Sequence, residues 1–398
     1  MLFTLEALTD SPVSRRRVEL VERKGLGHPD TVCDSLVEAA SVALNRMYLD
    51  RLGAIAHYNI DKALLVAGQC VKAFGSGAIS RPMQLYIGDR ATYVVGGARL
   101  PVEEAVEEAV EGWVRAHLPG VRAGKDLETR FVLAPGSEEL RRIYAGQTPE
   151  IASNDTCGAS GYAPLTMTEE MVLAVEGFLN APEFKTAFPD TGQDVKVMAV
   201  REDDRLALTV AMPLSCLHIA SEAAYFARKD EILHALAMRF RSAPLKTDWR
   251  LNCLDRPGIG LGGVYLSLTG TSAEDADSGQ VGRGNRVNGR IAFSRPTGGE
   301  AAAGKNPVAH AGKVYSVLSH HLARLIHARC PELMEVYVHL AVRIGEPVDR
   351  PWTGVQVILP PGLSLPDVEE SIRAVVDAEI ARMAEFRSEL IRGEHPVC

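Results

Sequence analysis

The sequence predicts an α+β fold in which helices cover one face of each sheet. Strand-like runs occur in pairs, and a long segment with helical spacing follows each pair about three times along the chain. No low-complexity linker separates these units, so we expect them to interlock rather than to form separate domains. With 398 residues, the chain exceeds one ordinary core, which indicates two or three domains or subdomains.

Six segments carry the spacing or the start signals of helices. After Asp30, apolar residues recur at intervals of three and four. Pro101 and the acidic residues behind it are typical of a first helical turn. Thr166 and Glu169 form a capping box. The predicted helices are residues 30–49, 101–114, 166–180, 221–240, 307–327 and 366–391.

Seven runs rich in β-branched and aromatic residues are typical of strands. The acidic triplet Glu202-Asp203-Asp204 is interpreted as the tight turn of a hairpin between two of them. The predicted strands are residues 63–71, 82–88, 194–200, 205–212, 264–270, 334–342 and 354–360.

Composition excludes several classes of protein. No apolar run of about 18 residues occurs, so no transmembrane helix or membrane partner is expected. The N-terminal residues lack the pattern of a signal peptide. Seven widely spaced cysteines indicate reduced thiols in a cytoplasmic protein. A net charge of −8 disfavours nucleic acid as a partner, although a local cationic pocket is compatible with it.

The first segment whose residues could carry chemistry is residues 22–34, which contains GLGHPD. Two glycines followed by His28, Pro29 and Asp30 open a helix, where backbone N–H groups and the helix dipole favour an anion. Asp30 and Asp34 lie one turn apart, and either could hold a hard cation. The alternative is that Asp30 is a plain N-cap and His28 an ordinary surface histidine.

The second segment comprises PGSEEL and the polar turn at residues 154–156. Gly136 and Ser137 are predicted to cap a helix over residues 138–144, which again creates an N-terminus that favours anions. Ordinary capping and an ordinary loop explain these residues equally well.

The third segment, residues 275–289, combines four glycines between Gly279 and Gly289 with Arg283 and Arg286. Glycine lets the backbone approach a ligand closely, and guanidinium groups bind oxyanions in a bidentate manner. A flexible loop is the alternative, which the flanking strand-like runs disfavour.

The fourth segment, GGEAAAGKN at residues 298–306, resembles a Walker A loop but has Asn306 where a hydroxyl residue should follow Lys305. Pro307 comes next and is predicted to begin a helix with His310 and Lys313 in its first turns. The missing hydroxyl argues against a P-loop. A Gly-rich backbone with a lysine before a helix still indicates an anion site.

Seven motifs, spread from about residue 20 to residue 315, together resemble the archaeal-type S-adenosylmethionine synthetases (methionine adenosyltransferases). They are GLGHPDTVCDSL, YNIDKALLVAG, PGSEEL, NDTCGASGYAPL, DVKVMAVRE, TGTSAEDADSGQVGRGNRVNG and GGEAAAGKNPVAHAGKVY. The resemblance implies that residues 1–398 form three similar α+β subdomains in a pseudo-threefold arrangement, with boundaries that are not contiguous in sequence. Their mixed or antiparallel sheets would be covered by helices.

The resemblance also implies a reaction and its partners. Methionine sulfur would attack C5′ of ATP and expel triphosphate, which is then hydrolysed to pyrophosphate and phosphate. It implies Mg²⁺, often K⁺, and a homodimer with active sites at the interface. A thioether needs no deprotonation, so the site requires alignment and cations rather than a general base.

Five residues match family positions with assigned roles. His28 resembles the histidine at the O5′ leaving oxygen, and Asp30 resembles a Mg²⁺ ligand. Lys196, Arg283 and Lys305 resemble the cations that grip the triphosphate.

A further group is expected to contact ATP or methionine. Asp277 resembles the acid near the methionine ammonium group, and Asp155 lines the same region. Residues 136–137, Gly136 and Ser137, resemble the turn that contacts ATP. Asp61 and Lys62 lie in a matching motif without individual roles, and Lys313, in another matching motif, belongs to the same group.

Three departures from the family pattern surround the expected methionine and adenine positions. Ala276 and Ser278 change the turn beside Asp277, a bulky residue is missing from residues 154–165, and residues 297–299 read Thr-Gly-Gly. We therefore hypothesise that ATP use is retained while the thioether preference is altered. Two alternatives stay open: a triphosphatase that has lost alkyl transfer, and a silent paralogue that binds nucleotide or pairs with an active subunit.

Overall fold

The computed structural model describes residues 3–144 and 150–398, and the α+β prediction is confirmed over them. The helices are α1 Pro29–Leu52, α2 Val102–His117, α3 Glu138–Ile143, α4 Met167–Leu179, α5 Pro182–Ala187, α6 Glu222–Arg239, α7 Ala311–Arg329, α8 Leu365–Ala381 and α9 Met383–Arg392. None of the helices within these ranges is long and apolar enough to cross a membrane.

The strands are mostly short and include several that periodicity did not reveal. They are β1 Phe3–Leu8, β2 Val18–Lys24, β3 Asn59–Val66, β4 Gln69–Ala73, β5 Ser76–Arg81, β6 Met83–Arg90, β7 Val94–Val95, β8 Ala98–Arg99, β9 Leu127–Ala134, β10 Cys157–Ala163, β11 Lys196–Glu202, β12 Arg205–Ala211, β13 Leu214–Ser215, β14 Lys246–Leu251, β15 Leu266–Ser267, β16 Gly279–Gln280, β17 Ile291–Ala292, β18 Glu335–Val342 and β19 Trp352–Ile358.

Three larger sheets organise the described chain, each with parallel and antiparallel pairs. Sheet 1 has the order β1-β19-β18-β10, sheet 2 the order β14-β12-β11-β2-β17, and sheet 3 the order β16-β3-β6-β9. Helix α7 packs on sheet 1 with α8 beside it, α4 and α6 pack on sheet 2, and α1 packs on sheet 3 beneath α2. One apolar core is shared by sheets 1 and 3 and their helices, and a second lies between sheet 2 and its helices.

Within the described residues, the other face of sheet 3 carries exposed apolar side chains. Alternation along β3 and β6 buries Leu65 and Leu85 against α1 and turns Leu64 and Tyr86 outward. Together with Val132 on β9, which is 65% exposed, these side chains form an apolar surface on the face opposite the helices.

Local sequence signals located four of the predicted helices well. Thr166 and Glu169 make both hydrogen bonds of the predicted capping box at the start of α4. The Ser221 hydroxyl caps α6, and the predicted segments at 30–49 and 101–114 match α1 and α2. The hairpin turn is also confirmed, because Glu202 pairs with Arg205 across Asp203 and Asp204.

Two strand predictions are wrong because side chains and loops take the backbone N–H groups. The run 63–71 divides at Ala67, whose N–H donates to the Ser278 hydroxyl, so β3 and β4 belong to different sheets. In the run 264–270 only residues 266–267 are strand. The N–H groups of Leu268 and Thr269 donate to the Glu274 carboxylate instead of to a ladder partner.

Two helix boundaries differ. The predicted helix 366–391 is interrupted at Arg382, which ends α8 and precedes α9. The helix predicted from Pro307 begins only at Ala311, because the His310 side chain accepts from the Gly312 N–H and acts as its N-cap. Ser137 is the N-cap residue of α3, as predicted, although its side chain makes no capping hydrogen bond.

Candidate active site

The N-terminus of α1 is held in a buried position by close backbone packing. A Cβ on Gly27 would lie 2.4 Å from the backbone nitrogen of Asp194, so only glycine lets the two segments approach this closely. His28, 7% exposed, is the N-cap, and its Nδ1 accepts from the Asp30 N–H at 3.2 Å. The interpretation of Asp30 as the N-cap is therefore wrong, since Pro29 and Asp30 occupy the first turn.

His28 is a neutral imidazole at physiological pH. Burial lowers its pKa to about 4, and the charges of Lys24 and Lys196 act in the same direction, while Asp30 opposes them. Because Nδ1 accepts a hydrogen bond, the ring proton lies on Nε2. His28 therefore offers one N–H donor from a buried position.

Helix α1 presents three acids on one face, at intervals of four residues, which we call the acid stripe: Asp30, Asp34 and Glu38. Each one accepts a hydrogen bond from the backbone N–H of a distant Gly-rich segment. The pairs are Gln280 to Asp30 Oδ1 at 2.9 Å, Gly282 to Asp34 Oδ1 at 2.8 Å, and Gly304 to Glu38 Oε2 at 3.1 Å. The acid stripe thus holds the third and fourth sequence segments against the same helix, α1.

Asp34 lies beneath the third segment. A Cβ on Gly284 would lie 2.2 Å from Asp34 Oδ2, so glycine is required at this point. Burial raises the pKa of Asp34 to about 7, against the opposing effect of the Gly282 hydrogen bond.

Lys305 is the buried cation of the fourth segment. Only 3% of its side chain is exposed, and its Nζ lies 2.5 Å from Asp61 Oδ2 and 3.0 Å from Glu300 Oε2. Burial alone would lower its pKa, but the two carboxylates outweigh burial and the pKa of Lys305 is raised. Lys62 also contacts Asp61, at 2.7 Å, so two lysines share this acid.

A cleft of ≈ 1090 Å³ joins the third and fourth segments. It is lined by Asp61, Lys62, Arg283, Glu300 and Lys305. Its walls also include the open apolar face of sheet 3. The cleft therefore places three cationic side chains beside an uncovered protein surface.

Lys24 connects this cleft with the N-terminus of α1. Its Nζ donates to Asp30 Oδ2 at 2.9 Å and to the Arg283 carbonyl at 2.6 Å. Since Gln280, which bonds Asp30, also lines the cleft, the His28 and Lys305 groups belong to one continuous site.

Lys196 begins β11 and pairs in register with Lys24 on β2. Its Nζ lies 3.1 Å from Glu22 Oε1, and 41% of its side chain is exposed. Lys196 influences His28 through its charge, so it belongs to the rim of the same site.

Lys313 is fully buried and pairs with an acid of α1. Its Nζ donates to both oxygens of Glu38, at 2.8 and 2.7 Å. Since Glu38 also holds the Gly304 N–H, Lys313 supports the backbone that carries Lys305.

The other predicted contact residues lie farther from this centre. Asp155 is in a loop tied to the segment before α7 by a hydrogen bond from Asn154 N to Ala309 O. Burial raises the pKa of Cys157 to about 12, with smaller contributions from the charges of Glu300 and Asp155, so Asp155 adjoins the Lys305 side. Asp277 is exposed in the third segment.

Gly136 is buried against His57, where a Cβ would lie 2.2 Å from the ring nitrogen Nδ1. Ser137 beside it is exposed. The described contacts of these two residues do not connect them to Lys305 or His28.

Sequence reasoning missed Glu38, Glu22 and Asn285. Asn285 bonds the backbone N–H and carbonyl of Lys24, at 3.0 and 2.7 Å. The sequence did contain a signal for Glu38, since it continues the four-residue spacing of Asp30 and Asp34 inside a mostly apolar helix.

A cluster of three potential metal ligands lies within the described ranges and does not include Asp30: Cys70, Glu274 and Asp275. Lys72 Nζ already lies 2.8 Å from Asp275 and 3.4 Å from Glu274, and this one ammonium group offsets part of the charge of the two carboxylates.

Residues 2–394 match the model of the S-adenosylmethionine synthetase (AdoMet synthetase) family. An S-adenosylmethionine synthase of Pyrobaculum neutrophilum is 36% identical over 99% of both chains, and one of Aeropyrum pernix is 39% identical over 95% of both. An unusual S-adenosylmethionine synthetase from Campylobacter jejuni shares the fold, with a TM-score of 0.57 at 16% identity, over 94% of this chain and 89% of that one.

Proposed function

We propose roles for the residues of this site from one premise: the chain belongs to the S-adenosylmethionine synthetase family. It forms S-adenosylmethionine from ATP and methionine, the transferase reaction that the sequence predicted. The roles below assign parts of that reaction to individual side chains.

Lys305 and Arg283 grip the triphosphate that leaves ATP. The observation that carries this proposal is the cleft in which both line one wall beside Lys62. Lys305 is already oriented by Asp61 and Glu300, so it needs little rearrangement when charge develops on the leaving group. Lys196 adds a more mobile charge at the rim.

His28 acts at the O5′ oxygen. A neutral ring with its proton on Nε2 donates a hydrogen bond to the oxygen on which negative charge accumulates as the C5′–O5′ bond breaks. Methionine sulfur attacks through its own lone pair, so no residue is needed to remove a proton.

Mg²⁺ fits this site through Asp30 and phosphate oxygens. The ammonium group of Lys24, 2.9 Å from Asp30 Oδ2, already occupies a cation position there. A single carboxylate together with substrate phosphates is a usual Mg²⁺ environment, and the ion when bound neutralises phosphate charge. The K⁺ that the resemblance implies stays a prediction without an assigned residue.

Methionine and adenosine contact the residues around this centre. Asp277 binds the methionine ammonium group, Asp155 lines the neighbouring pocket, and Gly136 with Ser137 contacts ATP. These assignments rest on the motifs. The altered residues 297–299 adjoin Glu300 at one cavity wall. Their position supports the hypothesis that the preference for the thioether substrate is changed.

A second copy of the chain completes the site. The cleft opens on the uncovered face of sheet 3, where Leu64, Tyr86 and Val132 are 41%, 37% and 65% exposed. An apolar surface beside a charged cleft is typical of an interface. This surface supports the proposed homodimer with active sites between subunits. The three similar subdomains per chain stay a prediction from the resemblance.

One assay tests the reaction to which these roles belong. The purified chain is incubated with ATP, methionine and Mg²⁺, the sulfonium product is detected by mass spectrometry, and phosphate is measured separately. We expect sulfonium, pyrophosphate and phosphate in equal amounts, and no product without Mg²⁺. Phosphate release from added triphosphate without sulfonium formation would favour the triphosphatase alternative. Equal turnover of methionine and larger S-alkyl homologues, with ordinary methionine affinity, would contradict a reshaped pocket.

A further inference from the structure

A second cavity, which we call the Arg290 pocket, lies outside the cleft, between α7, the end of β10 and residues 287–290. Its volume is ≈ 1360 Å³. Apolar walls come from Leu165, Leu173, Val287 and Val317, whereas Arg290, Arg324 and three histidines provide its polar surface. No aspartate or glutamate side chain is among the described residues that line it.

Arg290 carries a buried guanidinium group without a matching acid. It is 3% exposed, and neither its Nε nor its Nη1 has a hydrogen-bond partner within residues 3–144 and 150–398. Glu169 acts on Arg290 only through space, because both of its oxygens accept from Arg295, at 3.0 and 3.1 Å. Buried charges in proteins are normally paired, so this arrangement leaves a position for an anion.

Neighbouring groups add donors for such an anion. The buried side-chain amide of Asn288 has the Tyr162 hydroxyl beside it, and this hydroxyl also contacts Arg290. His320 accepts from the Tyr162 N–H through Nδ1, at 3.4 Å, so its proton lies on Nε2. Burial, with the charge of Arg290 next, lowers the pKa of His320 to about 3 and keeps the ring neutral.

We propose that the Arg290 pocket binds a small organic oxyanion, a phosphate or a carboxylate on an apolar body, with Arg290 and Asn288 as its principal donors. The guanidinium group provides a planar pair of donors for two oxygen atoms, and the apolar walls accommodate the rest of the ligand. This site does not depend on the roles proposed for the cleft.

The pocket shares a chain segment with the cleft. Arg23, which lines the pocket, donates to the Gly289 carbonyl at 2.6 Å, and Asn285 bonds both backbone groups of Lys24. A ligand at Arg290 would therefore contact the far end of the segment that carries Arg283.

Isothermal titration of the full chain with phenyl phosphate, phenylacetate and inorganic phosphate tests the proposal. We expect at least one of the two aromatic anions to bind, and the stronger one identifies the headgroup. Saturating tripolyphosphate should leave this binding unchanged, because tripolyphosphate is directed to the cleft. Arg290→Met should weaken binding at least about tenfold, whereas Arg250→Met, at an exposed remote arginine, should leave it unchanged.

Arg290→Lys and Asn288→Ala keep the test decisive if Arg290→Met does not fold. The lysine variant retains the charge but loses the planar donor pair, so its affinity should lie below that of the natural chain. The proposal is overturned if no probe binds at millimolar concentration, if tripolyphosphate displaces the bound probe, or if these variants bind as tightly as the natural chain.

Discussion

Two lysines assigned to the same triphosphate, Lys305 and Lys196, lie in opposite environments. Lys305 is 3% exposed and fixed between two acids, whereas Lys196 is 41% exposed and lies 3.1 Å from Glu22. A buried, oriented charge stabilises developing negative charge far more than a solvated one, which water screens. The two lysines are therefore expected to differ strongly in how much each stabilises the leaving triphosphate.

The largest effect should come from Lys305→Met. Removal of the oriented cation should lower kcat/KM for sulfonium formation by about 10³-fold. Lys246→Met, at a lysine that is 75% exposed and on another sheet, is the matched control and should retain activity. A Lys305→Met enzyme with ordinary kcat/KM and a normal circular dichroism spectrum would show that Lys305 does not stabilise the leaving triphosphate.

His28 extends the comparison to a neutral donor. His28→Ala should reduce S-adenosylmethionine formation by about 10³-fold, while loss of the N-cap costs about 1 kcal/mol of stability. Asparagine caps helices well, so His28→Asn should keep that stability yet remain as inactive. Rates come from mass detection of the sulfonium, and a near-normal rate in either variant would remove His28 from the mechanism.

Glu38 of the acid stripe is the counter-charge of Lys313 and also holds the Gly304 N–H beside Lys305. Glu38→Gln leaves the buried Lys313 ammonium without its counter-charge and should lower the free energy of unfolding by about 3 kcal/mol. The double variant Glu38→Gln, Lys313→Met should recover part of that loss in urea titrations. Equal stability of the single variant and the natural chain would show that the pair does not support this region.

Lys196→Met should have a smaller effect, about tenfold on kcat/KM, because its charge is solvated. The loss should shrink as ionic strength rises, since salt screens exposed charges. A loss as large as that of Lys305→Met, independent of salt, would mean that substrate binding buries Lys196 as deeply as Lys305.

The smallest effect concerns pH and stability. The folded-state pKa of His28 is lowered to about 4 from 6.5, so the unfolded chain binds more protons between these values. The contribution of His28 to stability is complete above pH 6.5 and is lost as the pH falls towards 4. Relative to His28→Asn, the natural chain should lose about 1 kcal/mol between pH 7.5 and pH 6 in denaturant titrations. A constant difference over that range would contradict a buried, neutral His28.

Local signals in the sequence predicted the helices better than the strands. The capping box at Thr166 is formed within one helical turn, so it could be recognised directly. The division of the run 63–71 depends on Ser278, more than 200 residues away, and on the Gly68 N–H, which donates to Ala273. No window of neighbouring residues contains that information.

The same difference between local signals and contacts of distant residues applies to the site. Motifs identified His28, Arg283 and Lys305, because each lies in a distinctive local pattern. The contact of Lys305 with Asp61 joins residues 244 positions apart, and the pairing of Lys313 with Glu38 joins residues 275 apart. The motif of Lys313 predicts a substrate contact, whereas its buried pairing with Glu38 is visible only in the tertiary fold.

The acid stripe on α1 has a consequence for the order of folding. Its three hydrogen bonds close loops of 250, 248 and 266 residues, and contacts of such high sequence separation form slowly because their loop entropy is lost first. A chain emerging from the ribosome releases α1 long before Gln280 or Gly304 exists. We therefore expect the substrate cleft to be among the last features to form, so that a nascent or truncated chain can hold native helices without any capacity to bind ATP.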